Sequence, residues 1–425
     1  MLDIRLIRED PEFVKAAGRK KHLPCDDTVD RVLELDLERR RILAESERLR
    51  ASQRRVGKEI ATLRGDEKQA RIAEMGEIAS RIKEFDAALG PLEAELDACM
   101  LRIPNPPAAD VPDGKSDAEN VEIRIWGEVP AFDFAPKDHL ELGESLDIID
   151  MPRATKLAGS RTYILKGDGA LLELAVLQFA LQQLVEKGFQ PMIVPTLVGR
   201  ATMVGTGYFP GGEDQAYCCE RDEKYLIGTS EVPVTAYHGG EILEESELPK
   251  LYAGYSVCYR REAGAAGKDT RGLYRIHQFS KVEQVVIAKN DEAESLRQHR
   301  FILENAEAIL RALGLPHRVV NVCGGDLGQG QVQKFDVETW MPSRQGYGET
   351  HSASRFHDFQ ARRLDLRYRD ADGKARFCHT LNNTAIASPR ILVALLENFQ
   401  EADGGVRIPE VLRPWFGGRP RIEPR

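Results

Sequence analysis

The residues best suited to chemistry are concentrated in segment 259–283. Arg260 and Arg275 flank a glycine-rich stretch, and Phe279 follows them. An arginine guanidinium is a rigid fork that binds a phosphate or a carboxylate, and an aromatic ring supports a planar base by stacking. The pattern predicts a strand, a basic loop and a returning strand. The residue types alone leave two interpretations open, a nucleotide site and an ordinary solvent-exposed loop.

The sequence contains neither of the two common glycine-rich nucleotide motifs. No G-x-G-x-x-G follows a predicted strand, and no G-x-x-x-x-G-K-[ST] is present. A nucleotide that binds this chain must therefore be held in another way.

Segment 259–283 closely resembles motif 2 of the class II aminoacyl-tRNA synthetases in its seryl form. Other segments agree with the seryl-tRNA synthetase family, bacterial type, in order and spacing. They are 188–195, similar to the dimer-forming motif 1; 228–231, similar to the serine-binding T-x-E loop; 348–352 with 358–363, similar to the metal and ATP region; and 380–390, similar to motif 3. The resemblance covers essentially the whole chain. Asn383, Thr384, Pro389 and Arg261 depart from the residues common in the family at these positions.

The resemblance implies a set of ATP-binding residues in which the catalytic arginines are included. Arg260 would clamp the α-phosphate and the serine carboxylate, Glu262 would contact the adenine edge, and Phe279 would stack with Arg390 on either side of the ring. Arg390 would also reach the γ-phosphate. The implied catalytic residues are Arg260, Arg275 and Arg390, and the implied ATP-binding residues are Arg260, Glu262, Arg275, Phe279, Glu349, Ser352 and Arg390. Glu349 and Ser352 would also coordinate Mg²⁺, which prefers oxygen ligands.

The same resemblance implies a serine site. Thr229, Glu231 and Glu283 would meet the substrate ammonium, and Asn382 and Thr384 would line the pocket for the hydroxyl. The serine-binding set is completed by Arg260. The implied reaction is ATP-dependent formation of seryl-adenylate and transfer of serine to the 3′-end of tRNA(Ser), with tRNA(Sec) as a further candidate.

Two other functions remain as alternatives. One is a paralogue that activates a small amino acid for a carrier protein, and the other is a non-catalytic RNA-binding coiled-coil protein. A basic helical arm, predicted at residues 29–103, argues against the first. The joint presence of Arg260, Glu283, Glu349, Asn382 and Arg390 argues against the second. Four histidines, His277, His351, His357 and His379, show no metal-ligand spacing, and we expect them to form structural hydrogen bonds.

The elements that must position these residues follow a linker rich in proline, aspartate and glycine at 105–116. Strands are predicted at 161–165, 251–260, 279–288, 319–322, 334–339 and 358–366, with helices at 171–187, 292–313 and 389–399. Helices are too few and too irregular for repeated βαβ units. The sequence therefore predicts an α+β protein with an antiparallel sheet flanked by helices, and the resemblance implies that this sheet belongs to a class II catalytic domain at residues 111–425.

Residues 1–110 are predicted to form an N-terminal tRNA-binding domain with a long arm. Segment 29–103 is rich in Glu, Arg, Leu and Ala, and its apolar residues recur at heptad spacing. A turn is predicted at 64–67, and the prolines at 104–107 end the second helix. Two antiparallel helices of about 1.5 Å per residue would each run on the order of 50 Å. The prediction is a projecting coiled-coil hairpin.

Basic residues are concentrated on the first helix of this hairpin. The candidate tRNA-binding residues are Arg39, Arg40, Arg48, Arg54 and Arg55. A basic face on a rod can follow the phosphates of an RNA helix, whose bases it cannot read through the narrow major groove. The alternative interpretation, a merely solvated charged surface, is open for the hairpin taken alone.

The net charge, the hydropathy and the cysteine spacing restrict the remaining possibilities. The 425 residues carry a net charge of −9, so nucleic-acid binding must come from a local basic surface. No apolar run approaches the roughly 20 residues that span a bilayer. The seven cysteines lack paired spacing and are predicted to be thiols in a reducing compartment. We expect a cytoplasmic protein, and the resemblance of segment 188–195 to motif 1 implies a homodimer.

Overall fold

The computed structural model describes residues 1–264 and 271–424 and divides into two compact units, Met1–Pro104 and Asn105–Arg425. The basic loop predicted from the sequence falls partly on residues 265–270, which lie outside the described part. The division of functions at residues 110 and 111 remains a prediction. No helix in the described ranges is long and apolar enough to cross a membrane.

The first unit is helical. Its helices are α1 (Ile4–Glu9), α2 (Pro11–Lys20), α3 (Asp26–Ile60) and α4 (Gly65–Met100). Ion pairs join α3 to α4, among them Arg31 with Glu95, Arg39 with Glu93 and Arg50 with Asp86. As the residue number rises along α3, that of its partner on α4 falls, so the two helices are antiparallel. The predicted helical hairpin is therefore present.

The turn of the hairpin lies at 61–64 rather than at the predicted 64–67. Asp66 and Glu67 are in the first turn of α4, where acidic side chains are favoured by the positive end of the helix dipole. Two apolar clusters hold the unit together. One includes Val32, Leu35 and Leu96 together with residues of α1 and α2, and a smaller one consists of Val56, Ile78 and Ile82 with partly buried neighbours.

The second unit mixes helices and strands. Its helices are α5 (His139–Ser145), α6 (Met151–Ala158), α7 (Asp168–Glu186), α8 (Arg200–Gly205), α9 (Glu231–Thr235), α10 (Glu292–Leu313), α11 (Phe359–Leu364) and α12 (Arg390–Asn398). Its strands are β1 (Val121–Trp126), β2 (Gln190–Ile193), β3 (Leu197–Gly199), β4 (Cys218–Cys219), β5 (Lys224–Leu226), β6 (Ile242–Glu244), β7 (Lys250–Tyr259), β8 (Gln278–Ala288), β9 (His317–Asn321), β10 (Gln333–Met341), β11 (Gly346–His357), β12 (Arg367–Arg369), β13 (Ala375–Phe377), β14 (His379–Ala387), β15 (Val406–Arg407) and β16 (Arg421–Ile422).

The central sheet has the strand order β1-β9-β10-β11-β14-β8-β7-β2 within the described residues. Its neighbouring strands are antiparallel except β2, which runs parallel to β7. Smaller sheets are formed by β3-β5-β4, β13-β12-β6 and β15-β16. The predicted α+β class with an antiparallel sheet and flanking helices is confirmed.

The two faces of the central sheet differ in polarity. Helices α7, α10 and α12 pack against one face. Val282, Val286 and Leu381 lie in the same apolar cluster as Ile302 of α10 and are fully or almost fully buried. Because successive strand residues point to opposite faces, Lys281 and Glu283 of β8 and Asn382 and Thr384 of β14 face away from those helices, whereas Asn383 faces α10 and donates to the carbonyl of Ile302. The polar face carries the candidate site.

Two strand predictions are wrong. Residues 161–165 contribute only an isolated bridge, Ile149 with Leu165, because Arg161 adopts a positive φ of 59° that interrupts an extended chain. Segment 358–366 contains helix α11 instead of a strand. Its residues Ala361, Arg362 and Leu364 are good helix formers, and Arg362 bonds back to Asp358 four residues earlier.

Candidate active site

Two adjoining cavities open on the polar face of the sheet. Arg260, Lys281, Glu349 and Thr384 line both of them, so the two are continuous. The larger has a volume of about 320 Å³. All the predicted site residues of this unit line one cavity or both: Thr229, Glu231, Arg260, Glu262, Arg275, Phe279, Glu283, Glu349, Ser352, Asn382, Thr384 and Arg390. The structure thus brings together residues that are as far apart in the chain as Thr229 and Arg390.

Arg260 stands at the end of β7, where the chain leaves the sheet. Its guanidinium lies 5.2 Å from the centroid of the Phe279 ring, and its Nε donates to the carbonyl of Gly228 at 3.4 Å. Glu262 adopts a positive φ of 53° and forms an ion pair with Arg275 at 2.6 Å. This part of the site combines an aromatic face with two guanidinium groups.

Arg390 is the first residue of α12, directly after Pro389. It donates to the backbone carbonyls of Tyr274 and Glu349, both at 3.0 Å, and its Nη1 lies 3.3 Å from the Glu349 carboxylate. Its guanidinium also lies 4.5 Å from the centroid of the Tyr274 ring. Proline is suited to this position because its missing N–H would have no partner at a helix start.

Glu349 and Ser352 lie on β11, where Ser352 is paired with Asp336 of β10. Burial alone would raise the pKa of the Glu349 carboxyl, but Arg390, Lys334 and Arg260 together hold it below its ordinary value. Burial raises the pKa of Asp336 to about 7, although Lys334 is 3.3 Å away and opposes the shift. The Oδ1 atom of Asp336 is buried without a hydrogen-bond partner among the described residues.

This donor set suits a hard divalent cation. An ionised carboxylate, a hydroxyl and a neighbouring orphaned carboxylate oxygen are the oxygen ligands that Mg²⁺ prefers, while phosphates and water supply the rest of its octahedron. In residues 1–264 and 271–424, no three His, Cys, Asp or Glu side chains are grouped closely enough to hold a metal ion by themselves. Such an ion would therefore depend on the oxygens of its nucleotide.

The opposite end of the larger cavity is acidic. Glu231 accepts from Gln360 at 2.8 Å and from Tyr208 at 2.9 Å, and burial together with the nearby charge of Glu283 raises the pKa of Glu231 to about 7. Glu283 is 2% exposed and accepts from Thr384 at 3.3 Å. Two buried carboxylates next to a hydroxyl suit a small ammonium group that brings its own hydroxyl.

Several residues that line the cavities were not predicted from the sequence. Lys281, Tyr208 and Gln331 line the larger cavity, and Tyr274 lines the smaller one. Lys281 could have been found from period-two alternation, because Phe279, Lys281 and Glu283 must share one face of a strand. Tyr208 and Gln331 lie in segments without a recognised motif and gave no such signal.

Three of the four histidines, His277, His351 and His357, form the hydrogen bonds predicted for them, whereas the Nδ1 atom of His379 is buried without a hydrogen-bond partner among the described residues. His351 bonds to Thr350 and to the carbonyl of Ala385, and burial lowers the pKa of His351 to about 3. His277 bonds to the carbonyl of Arg260, and His357 stacks on His379 with ring centroids 4.8 Å apart.

The candidate tRNA-binding arginines lie on α3 of the other unit. Arg39 pairs with Glu93 at 2.8 Å and Arg40 with Asp36 at 3.0 Å. Arg48 and Arg55 are each 3.9 Å from a glutamate of their own helix and are 80% and 72% exposed. Arg54 is exposed as well. The more exposed of these basic residues are therefore Arg48, Arg54 and Arg55.

Two family models match the chain: the seryl-tRNA synthetase N-terminal domain over residues 1–107, and the class II core domain of the tRNA synthetases for G, H, P, S and T over residues 217–399. A serine–tRNA ligase of Deinococcus radiodurans is 47% identical over 99% of this chain and 98% of its own length. One of Geotalea uraniireducens is 46% identical over 99% and 100%.

Solved structures agree with these relatives. The seryl-tRNA synthetase of Pyrococcus horikoshii complexed with ATP superposes with a TM-score of 0.95 at 42% identity and covers 100% of both chains. The cytoplasmic serine–tRNA ligase of Naegleria fowleri in complex with AMP gives 0.90 at 31% identity, covering 100% of this chain and 99% of that one. These full-length matches support the main sequence prediction and neither alternative. The chain belongs to the seryl-tRNA synthetase family, whose members are class II aminoacyl-tRNA ligases.

Proposed function

We propose that the polar face of the central sheet activates L-serine with ATP and transfers it to the 3′-end of tRNA(Ser). The observation that carries this assignment is the continuity of the two cavities, one lined by Arg260, Arg275, Arg390 and Phe279, the other by the acidic end around Glu283. Phosphates and a planar base suit the first, and a small cationic amino acid head suits the second. The relative solved with ATP supports a nucleotide at such a site.

ATP is proposed to lie across the first cavity. Phe279 offers its ring for stacking, and Glu262, held by Arg275, offers a carboxylate to the amino edge of adenine. Arg260 and Arg390 place fixed positive charge where the phosphates would lie. Arg390 reaches the phosphates from the N-terminus of α12, whose free N–H groups also favour anions.

We assign Mg²⁺ to Glu349 and Ser352. The support is the ionised state of Glu349 and the orphaned oxygen of Asp336 beside Ser352. A bound Mg²⁺ would neutralise phosphate charge and hold the triphosphate in one conformation. The ion pair of Glu349 with Arg390 keeps the carboxylate ionised before any cation arrives.

Serine is proposed to bind with its ammonium toward Thr229, Glu231 and Glu283. Its hydroxyl would meet Thr384 and Asn382, and its carboxylate would meet Arg260. Because Asn382 is buried, alanine or glycine would leave its amide without the partner that the serine hydroxyl is proposed to supply, whereas Thr384 keeps its bond to Glu283. A site that needs a substrate hydroxyl rejects analogues without one far more strongly than a merely apolar pocket does.

The chemistry then needs no base for its first step. The ionised serine carboxylate attacks the α-phosphorus, a carboxylate oxygen–phosphorus bond forms, and the bond to the β-phosphate oxygen breaks with release of pyrophosphate. Arg260 holds both reacting groups, and Arg275 and Arg390 stabilise the charge that develops on the leaving group. In the second step the terminal 3′-hydroxyl of tRNA attacks the seryl carbonyl, and AMP leaves.

The N-terminal hairpin is proposed to hold tRNA by its shape. The exposed arginines Arg48, Arg54 and Arg55, together with Arg39 and Arg40, would follow RNA phosphates without reading bases.

We further propose a cytoplasmic homodimer through the motif 1 region. Exposed apolar side chains support it, since Leu174 of α7 is 62% exposed and Ile193 of β2 is 89% exposed. Charging of tRNA(Sec) is a second reaction to be tested with the same arm.

The assignment is tested by ATP–pyrophosphate exchange with each of the twenty amino acids, followed by charging of total tRNA. We expect serine alone to drive exchange and then to appear on tRNA. Exchange with serine but no charging would favour the carrier-protein alternative. No exchange with any amino acid would overturn the proposed site.

A further inference from the structure

Lys281 lies at the point where the two cavities join, and the proposed reaction gives it no role. It is 4% exposed and lines both cavities. Its Nζ donates to Thr229 Oγ1 at 2.7 Å and forms an ion pair with the Glu283 carboxylate. An ammonium of the chain itself thus contacts two of the three residues assigned to the ammonium of serine.

The hydroxyl of Thr229 has no acceptor capacity left for a second ammonium. A hydroxyl oxygen accepts at most two hydrogen bonds. Thr229 Oγ1 already accepts one from Lys281 and one from the backbone N–H of Glu231 at 3.1 Å. A substrate ammonium has only donors. Serine can therefore bind Thr229 in the assigned way only if one of these two bonds is broken, and the bond from Lys281 is the one made by a long, flexible side chain.

The Glu283 carboxylate also has one of its oxygens engaged by Lys281. The oxygen that contacts Lys281, Oε2, also accepts from Thr384. The second carboxylate of this pocket, Glu231, has both oxygens engaged by neutral donors, Gln360 and Tyr208. Of the two buried carboxylates, Glu283 is the one that has a direct ammonium partner in the empty site.

The geometry points to Lys281 as an internal placeholder: its ammonium occupies the place that the serine ammonium takes, and serine displaces it toward the ATP side of the cavity. This inference rests on the proposed roles of Thr229 and Glu283. A placeholder has a physical advantage, since a buried carboxylate without a counter-charge is costly. The four-carbon stem of lysine allows the movement, and the residue already lines the cavity that would receive it.

The receiving side is where negative charge would gather. The serine carboxylate and the α-phosphate are both proposed to lie next to Arg260, which lines the same two cavities as Lys281. A displaced ammonium would add a second cation to the reacting groups only when serine is bound. Serine binding and stabilisation of the charge on phosphorus would then be linked through one side chain.

The alternative is that Lys281 is a fixed counter-ion that stays on Glu283 throughout. The variant Lys281→Met distinguishes this role from that of a placeholder. Without a competing ammonium, a placeholder site binds serine more tightly: the Kd for serine without ATP, measured by calorimetry, should fall by roughly tenfold, the value of one charged hydrogen bond. The kcat of pyrophosphate exchange should fall by at least about tenfold, because the cation beside the phosphate is lost. Lys250→Met, which removes the lysine at the start of β7 in the same sheet, is the control and should change neither value.

An unchanged or higher Kd for serine in Lys281→Met overturns the placeholder. Thr229→Ala separates that failure from a failure of the serine site itself, because it should weaken serine binding under either role of Lys281. If Thr229→Ala leaves serine binding unchanged, the site assignment is wrong and the placeholder falls with it.

A measurement on the unmodified chain removes any dependence on how the variants fold. Crystal structures of the empty enzyme and of its complex with a non-hydrolysable seryl-adenylate analogue give the Lys281 Nζ to Thr229 Oγ1 distance in each state. The placeholder requires a hydrogen bond in the empty enzyme and a broken one in the complex. A bond that persists in the complex contradicts it.

Discussion

The helical hairpin and the catalytic sheet use charge in opposite ways. In the hairpin, charged side chains pair with each other near the surface, as in Arg50 with Asp86, whose side chains are 51% and 49% exposed. In the sheet, the side chains of Lys281 and Glu283 are 6% and 3% exposed and face a cavity. Surface pairs contribute little to stability, whereas buried charges are costly unless each has a partner. The comparison indicates that the hairpin is a charged scaffold and that the sheet keeps its buried charges for a substrate.

The largest expected effect is the loss of the clamp at Arg260. Arg260→Ala should lower kcat for ATP–pyrophosphate exchange by about 10²–10³-fold or more, because the residue is proposed to hold both reacting groups. Arg261→Ala, at the next position, is the matched control and should remain within about threefold of the unmodified chain. Similar losses in both variants would indicate general damage to this strand end.

A second pair of variants compares the cores of the two units. Ile302→Ala removes a fully buried side chain of α10 and should lower the free energy of unfolding of the sheet unit by about 2–5 kcal/mol. Ile82→Ala acts on the small hairpin cluster and should cost less, about 1–2 kcal/mol, because that site is 8% exposed and its cavity can collapse. Thermal melting measures the loss of stability in each variant, and pyrophosphate exchange shows whether the sheet unit remains active. Exchange should survive Ile82→Ala.

The hydroxyl pocket provides a smaller effect. Thr384→Val keeps the shape but removes the bond to Glu283, so the KM for serine should rise by roughly 5- to 100-fold, equivalent to about 1–3 kcal/mol, while the KM for ATP stays the same. Thr339→Val is the matched control, since it removes a buried hydroxyl that bonds Thr350 at 2.7 Å. It should affect stability and leave the serine KM unchanged. An equal rise in both variants would remove Thr384 from the serine site.

The smallest effect is expected on the hairpin surface. A double-mutant cycle on Arg50 and Asp86, joined at 2.7 Å, should give a coupling of about 0.2–1 kcal/mol in thermal melting at low salt. The coupling should shrink as salt is added. A salt-independent value above about 2 kcal/mol would show that hairpin charges behave like those of the cavity.

Sequence periodicity predicted the long helices well. The heptad residues Leu35, Ile42 and Val56 are buried along α3 as expected, and α10 has the predicted bounds. Asp291 caps its N-terminus and Gly314 ends it in the left-handed region. Capping residues and a single apolar stripe are local signals, so one sequence is enough to read them.

The strands of the site were harder to predict. In β11, Thr350, His351 and Ser354 are polar and buried on both faces, so alternation between apolar and polar residues is lost, and a bulge opposite Val337 shifts the period. The residues placed by the family resemblance do gather on one face. Lys281 and Asp336 were missed because no motif assigned them a role, and their importance depends on which partners the fold brings near them.

The central claim is that activation of serine belongs to the sheet and holding of tRNA to the hairpin. The most direct measurement compares ATP–pyrophosphate exchange and tRNA charging in the full chain and in a chain that lacks residues 29–103. We predict exchange within about threefold of the full chain and a roughly hundredfold or greater loss of charging, because the phosphate contacts of the hairpin are removed. Equal loss of both reactions, in a variant whose sheet unit still melts cooperatively, would contradict this division.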